Sequence, residues 1–235
     1  MFKKYENSYH LSIGQLGKAI SLLKKNNCKK IIFAGRVKRP NFLKSKFDLK
    51  ALYYLPQIIK ETKKGDAYII KEIARIFKKE NLHIINQTFF NKELVLKKGS
   101  TTNLKPDPIS KKDMQIGKKI IKELKLNNTG QAIVVINGSI IAIEDQKGTD
   151  RMLDRAQKVI NKTLFKKKRA GILLKFPKSN QDLRVDLPTI GIKTVKKCSK
   201  LGLKGIAVMA NQNIFLDKNK SINLANKKKM FICAI

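Results

Sequence analysis

Between Gln131 and Asp145 the sequence QAIVVINGSIIAIED places apolar runs on either side of Asn137-Gly138. Both residues of such a pair accept positive φ, the backbone geometry of the tight turn joining two twisted antiparallel strands. A hairpin here commits this part of the chain to a sheet, and the flanking segments alternate between helical and strand patterns. Ile13, Leu16, Ile20 and Leu23 recur at helical spacing before the strand-like KKIIFAG. A helix follows from Leu49 to Lys63, kinked or broken at Pro56, then AYIIKEIARIFKKEN with Asp66 as its N-cap, then the strand LHIINQTFF. Ser110 and Asp113 read as a capping box opening a helix through Leu126, with Met114, Gly117, Ile121 and Leu124 on one side. Beyond the hairpin come a helix from Thr149 to Leu164, the strand AGILLKF, the extended loop QDLRVDLP, a helix from Thr189 to Leu201, and the strands GIAVMA, NIFL and MFICAI completing the sheet. The pattern predicts an α/β protein of two small α/β domains, residues 1–97 and 110–235. Residues 98–109, rich in Gly, Pro, Ser and Thr without periodicity, read as the linker.

The chain holds 52 basic and 17 acidic residues, a net charge of +35. Such an excess fits nucleic acid or an anionic membrane as partner. Only seven of the basic residues are arginine, whereas base and phosphate recognition favours the guanidinium fork. Nucleic acid is therefore disfavoured, and the lysines, with abundant isoleucine and asparagine, read as surface filler from an AT-rich coding sequence. Attraction to acidic phospholipid still follows, at about 1 kcal/mol per basic group near the surface. No apolar run is long enough to span a bilayer, and MFKKYENSYHLS has no secretory h-region, so a cytoplasmic location is expected. Cys28, Cys198 and Cys233 are odd in number and scattered, which fits buried, inert thiols rather than a disulfide framework or a zinc site.

His10 and His83 are the only histidines, and neither stands in a metal-ligand or nucleophile–base pattern. There is no P-loop, GxGxxG, GxSxG or HExxH, so carboxylate-based metal-ion activation of water is the chemistry left open. Two acidic groups stand out. Glu144, Asp145 and Asp150 cluster where the second hairpin strand ends and a helix begins, a position suited to phosphate or a hard cation. A plain helix start, with Thr149 as N-cap and Asp150 as first-turn acid, explains them equally. In QDLRVDLP, Asp182, Arg184 and Asp186 share one face if the segment is extended, with the two acids roughly 13 Å apart. One Mg²⁺ could take both only if the loop bends sharply. In GRVKRP, Arg36, Lys38 and Arg39 suit a loop meeting a pyrophosphate or an ordinary basic turn.

AGRVKRP, GQAIVVINGSIIAIEDQKGTDRML, KFPKSNQDLRVDLPTIG and LGLKGIAV, in that order, resemble the UDP-2,3-diacylglucosamine pyrophosphatases of lipid A biosynthesis that are unrelated to the calcineurin-like phosphoesterases. The resemblance covers nearly the whole chain. It implies a Rossmann-like first domain and Mg²⁺-dependent hydrolysis of UDP-2,3-diacylglucosamine to UMP and 2,3-diacylglucosamine 1-phosphate. It also implies a lipid-linked UDP-sugar whose acyl chains lodge between the domains, and peripheral attachment to the anionic cytoplasmic face of the inner membrane. Carried onto this chain, it makes Asp186 the essential carboxylate, with Glu144 and Asp150 beside it as metal ligands and Asp182 and Arg184 next in the catalytic group. Gly35, Arg36, Arg39, Gln181 and Thr149 become the substrate contacts. Two departures stand out: Lys147 replaces a glutamate usual just before GTD, and the chain starts after an expected first strand and glycine-rich loop. The rival readings are a non-catalytic basic protein binding lipid or nucleic acid, with steep salt dependence, and an inactive relative that keeps the lipid cleft.

Overall fold

The structure is a computed structural model that describes residues 5–35, 46–126, 130–162, 169–178 and 181–235. The chain divides into two compact units, Met1–Gln87 and Thr88–Ile235.

In the first unit, α1 (Leu16–Lys25) leads to β1 (Lys30–Ile31), followed by α2 (Leu49–Thr62), α3 (Asp66–Lys79) and β2 (His83–Ile84). The two short strands pair in parallel, Lys30 with His83 and Ile31 with Ile84, an arrangement that needs a crossover such as the intervening helices supply. Asp48 caps α2, its Oδ1 accepting the Ala51 N–H at 2.8 Å. Contrary to expectation α2 runs through Pro56 unbroken. Pro56 is exposed, so water can serve the carbonyl left by its missing N–H. Asp66 is the first residue of α3 rather than its cap, which is Gly65 at φ 117°. A cavity of about 280 Å³ lies among α1, α2 and α3, with Leu16, Ala19, Phe33, Leu55, Ile73 and Phe77 in its wall.

In the second unit the elements run β3 (Gly99–Ser100), α4 (Pro108–Leu126), β4 (Ala132–Ile136), β5 (Ser139–Ile143), α5 (Gly148–Asn161), β6 (Ile172–Lys175), β7 (Thr189–Ile190), α6 (Ile192–Lys200), β8 (Gly205–Val208), β9 (Ile214–Phe215), α7 (Lys218–Lys227) and β10 (Phe231–Ala234). One six-stranded sheet has the order β3-β10-β8-β6-β4-β5. Its middle strands β6, β8 and β10 are parallel, while β3 and β4 run against their neighbours. Side chains of α5, α6 and α7, among them Met152, Val195 and Ala225, join one core cluster with Val134, Leu173, Ile206 and Ile232. Met114 and Ile121 of α4 join another with Ile133, Ile172, Leu174 and Ala207. Burial on both faces explains why these strands read as continuous apolar runs.

The expected hairpin is present: β4 and β5 pair antiparallel across Asn137 (φ 48°) and Gly138 (φ 82°). NIFL, expected in the main sheet, instead pairs with the start of the expected Thr189 helix as the separate β7–β9 ladder, and α6 begins only at Ile192. Ser110 and Asp113 do not form a capping box. Asp107 takes that role, its Oδ1 accepting the Ser110 N–H at 2.7 Å, while Asp113 is buried within α4. Residues 98–109 belong to the second unit rather than linking two domains. β3 pairs with β10, and the Thr102 hydroxyl accepts the Ile232 N–H at 2.8 Å. The polar, aperiodic sequence misleads because a short edge strand can satisfy its backbone without apolar alternation.

Among the described residues no helix is long and apolar enough to cross a membrane. Cys198 and Cys233 are buried, and burial pushes both thiols up to about 12; Cys28 is half-buried.

Candidate active site

Open α/β sheets bind ligands beyond the carboxyl ends of their parallel strands. That edge of the second unit carries most of the candidate residues. Glu144 directly follows β5 and is only 7% exposed. Its Oε1 accepts the Thr149 hydroxyl at 2.8 Å and its Oε2 the Gln131 N–H at 3.1 Å. A side chain at Gly130 would collide with the Glu144 carbonyl, so only glycine allows this approach of backbone to acid. Thr149 is therefore committed to Glu144 and is not an N-cap; Lys147 occupies the N-cap of α5 and makes no side-chain capping bond. Asp150, in the first turn of α5, pairs with Lys197 at 3.4 Å, and Lys197 also holds Asp154 at 2.9 Å. Asp145 pairs with Arg155 at 2.9 Å.

QDLRVDLP is not extended. The N–H groups of Val185 and Asp186 both donate to the Asp182 carbonyl, at 3.0 and 2.9 Å, closing one helical turn. Val185 and Leu187 are buried, and their anchorage drives the bend. Four residues apart on such a turn, Asp182 and Asp186 come within about 5–6 Å between Cβ atoms instead of 13. Arg184 folds back on Asp182, donating from Nε at 2.9 Å and Nη2 at 2.6 Å. This bond raises the already high Arg184 pKa. Among the described residues the Asp186 carboxylate makes no hydrogen bond or ion pair. Gln181 is turned inward, its Oε1 accepting the Lys178 N–H at 2.9 Å.

The sequence reading missed Lys175. It ends the apolar strand β6, registers with Ala132 on one side and Val208 on the other, and is 8% exposed. Its Nζ donates to the Thr189 carbonyl at 3.0 Å. Burial pushes this ammonium below the ordinary lysine range, and the charges of Glu144, Asp150 and Asp186 oppose that push. The charges of three of the sequence-chosen acids thus reach one lysine. A lone charge closing the run ILLK was the available signal. Asn213 was missed as well: buried, it donates to the Lys175 carbonyl and accepts the Met209 N–H, each at 3.0 Å, joining the ends of β6 and β8.

Among the described residues no three His, Cys, Asp or Glu side chains converge closely enough to hold a metal ion. Glu144, Asp150 and Asp186 therefore act on Lys175 through their charges but form no three-carboxylate cage among the described residues. Mg²⁺ commonly takes only one or two carboxylates and completes its shell with water and substrate phosphate, and Asp186 fits that smaller part. Gly35 has φ 96° and open space beside it; Arg36 and Arg39 lie outside the described residues.

The family model of the LpxI N-terminal domain matches residues 1–94, and that of the LpxI C-terminal domain residues 97–233. The chain is also 31% identical over 226 residues to the UDP-2,3-diacylglucosamine pyrophosphatase LpxI of Caulobacter vibrioides, covering 96% of this chain and 81% of the relative. Two matched domains in sequence, and identity along almost the whole length, establish that the chain belongs to the LpxI family.

Proposed function

We propose that the chain hydrolyses the pyrophosphate of UDP-2,3-diacylglucosamine, yielding UMP and 2,3-diacylglucosamine 1-phosphate for lipid A synthesis. The observation carrying this reading is the Asp186 carboxylate, without a partner among the described residues and presented by a one-turn bend, whose charge reaches Lys175 together with that of Glu144. The relative's name supplies the substrate. In hydrolysis the oxygen of water bonds to one phosphorus and the bridging P–O bond breaks. Asp186 accepts a hydrogen bond from that water or takes its proton. Asp182 and Arg184 clamp the turn that presents Asp186, and Glu144 fixes the start of α5 through Thr149. Mg²⁺, held by Asp186 together with substrate phosphate, would neutralise charge on the pyrophosphate.

Work as a peripheral protein on the anionic cytoplasmic face of the inner membrane is supported by α2. Leu49 is 86% and Tyr53 76% exposed there, with Lys60 exposed on the same helix. An interfacial helix presents this mixture to acidic lipid.

The test is UMP release from UDP-2,3-diacylglucosamine with Mg²⁺ or with EDTA, wild type beside Asp186→Asn. Mg²⁺-dependent release that the variant loses, with folding intact, is the expected result. Normal turnover by Asp186→Asn would sink the assignment of that carboxylate, and a folded wild type without UMP release would sink the activity.

A further inference from the structure

Lys175 presents an unresolved charge. Removing an ammonium from water is costly unless an anion answers it at short range. Among the described residues its Nζ has one hydrogen-bond acceptor, the Thr189 carbonyl, and no ion-pair partner. The three acids whose fields reach it are engaged elsewhere or stand apart: Glu144 is held by Thr149 and Gln131, Asp150 by Lys197, and Asp186 remains unpaired. Gln131, whose N–H bonds Glu144, also keeps a buried side-chain oxygen without a hydrogen-bond partner among the described residues. The backbone beneath the lysine is fixed, since its carbonyl receives Asn213 and its strand is paired on both sides. A rigidly mounted, desolvated and unpaired cation at the carboxyl end of a central strand is suited to receiving an anion from outside the chain.

We propose that the Lys175 ammonium takes a non-bridging phosphate oxygen of the substrate, holding the anion at the end of β6. The inference rests on the pyrophosphatase reading only for the identity of that anion. A fixed N–H donor at this point offsets charge gathering on the phosphoryl oxygens as water attacks.

The test uses inorganic pyrophosphate as probe, in EDTA, and follows the melting temperature of wild type, Lys175→Met and Lys175→Gln. UMP release is measured on the same proteins with Mg²⁺. Wild type should be stabilised by pyrophosphate and both variants should lose that response. Both should also lose about 100-fold or more in kcat/KM, the scale for one donor to a developing oxyanion. Without ligand, Lys175→Met should melt no lower than wild type, because it exchanges a buried charge for an apolar group of similar length. Lys175→Gln keeps a donor for Thr189 and serves if the Met variant fails to fold. An absent wild-type response, a pyrophosphate response retained by the folded variants, or near-normal turnover by Lys175→Gln would overturn the proposal. A Lys175-dependent response without UMP release would leave the anion site standing and remove the proposed substrate. UMP release with an equal pyrophosphate response in all three would do the reverse.

Discussion

The carboxylate of Asp113 on α4 accepts the N–H of Gly138 at 2.6 Å, and its other oxygen accepts that of Asn137 at 3.1 Å. One fully buried acid thus answers both donors of the β4–β5 turn and ties the helix to the hairpin. Asp113→Ala should cost about 2 kcal/mol, because two backbone N–H groups lose a charged acceptor and the helix loses its tie to the hairpin. Urea unfolding measures this; a change within about 0.5 kcal/mol would show the turn to be held by its own geometry.

Arg184 and Asp182 meet through two guanidinium N–H groups, a fork that lysine cannot reproduce. Arg184→Lys is expected to lower kcat roughly 10- to 100-fold, the range for groups that orient a site's ligands. Arg184 is exposed, so unfolding free energy should shift by less than about 1 kcal/mol. A loss of stability with unchanged kcat would reassign the pair to folding alone.

At Gly130 an added methyl would meet the Glu144 backbone. Gly130→Ala should therefore move Glu144 off Thr149, costing about 1–3 kcal/mol of stability along with activity. Paired thermal melts and UMP assays check this; wild-type values in both would mean that the loop yields freely.

A hydrogen bond from Lys204 holds the Asp107 carboxyl down at about 2, and the Ser110 N–H adds to the effect. A group whose pKa falls on folding contributes stability above its unfolded value near 3.9. That contribution is lost as pH drops through the folded value. Wild type should thus lose an increment of stability between about pH 4 and 2 that Asp107→Asn lacks. Asp107→Ala should cost about 1 kcal/mol at neutral pH through loss of the cap. Parallel acid titrations that coincide would contradict this linkage.

The hairpin and the parallel core strands were legible because Asn137-Gly138 and the runs around Val134, Leu173 and Ala207 each answer to one local rule. Glu144, Asp150 and Asp186 were grouped through the family resemblance rather than through spacing; their charges all reach Lys175, but they form no three-carboxylate site among the described residues. The bend at Asp182 was not, since its alternation of polar and apolar residues is that of a strand. Only the tertiary anchorage of Val185 and Leu187 converts it to a turn. Lys175 escaped, and Asp113 was read as part of a capping box, for a related reason: a charged residue inside an element looks like a surface residue until the packing that buries it is known. Thr102 misled in the other direction, a polar residue in a linker-like stretch whose hydroxyl completes the pairing of an edge strand.

β6, which ends in Lys175, is laddered on both sides and sealed on both faces. Backbone held in this way is among the last to open in native-state hydrogen exchange. The candidate site is therefore mounted on backbone expected to be among the slowest of its unit to exchange, so that partial unravelling elsewhere should leave its floor intact. Under rising denaturant, the function that depends on Lys175 should vanish together with the cooperative unfolding of this unit rather than ahead of it.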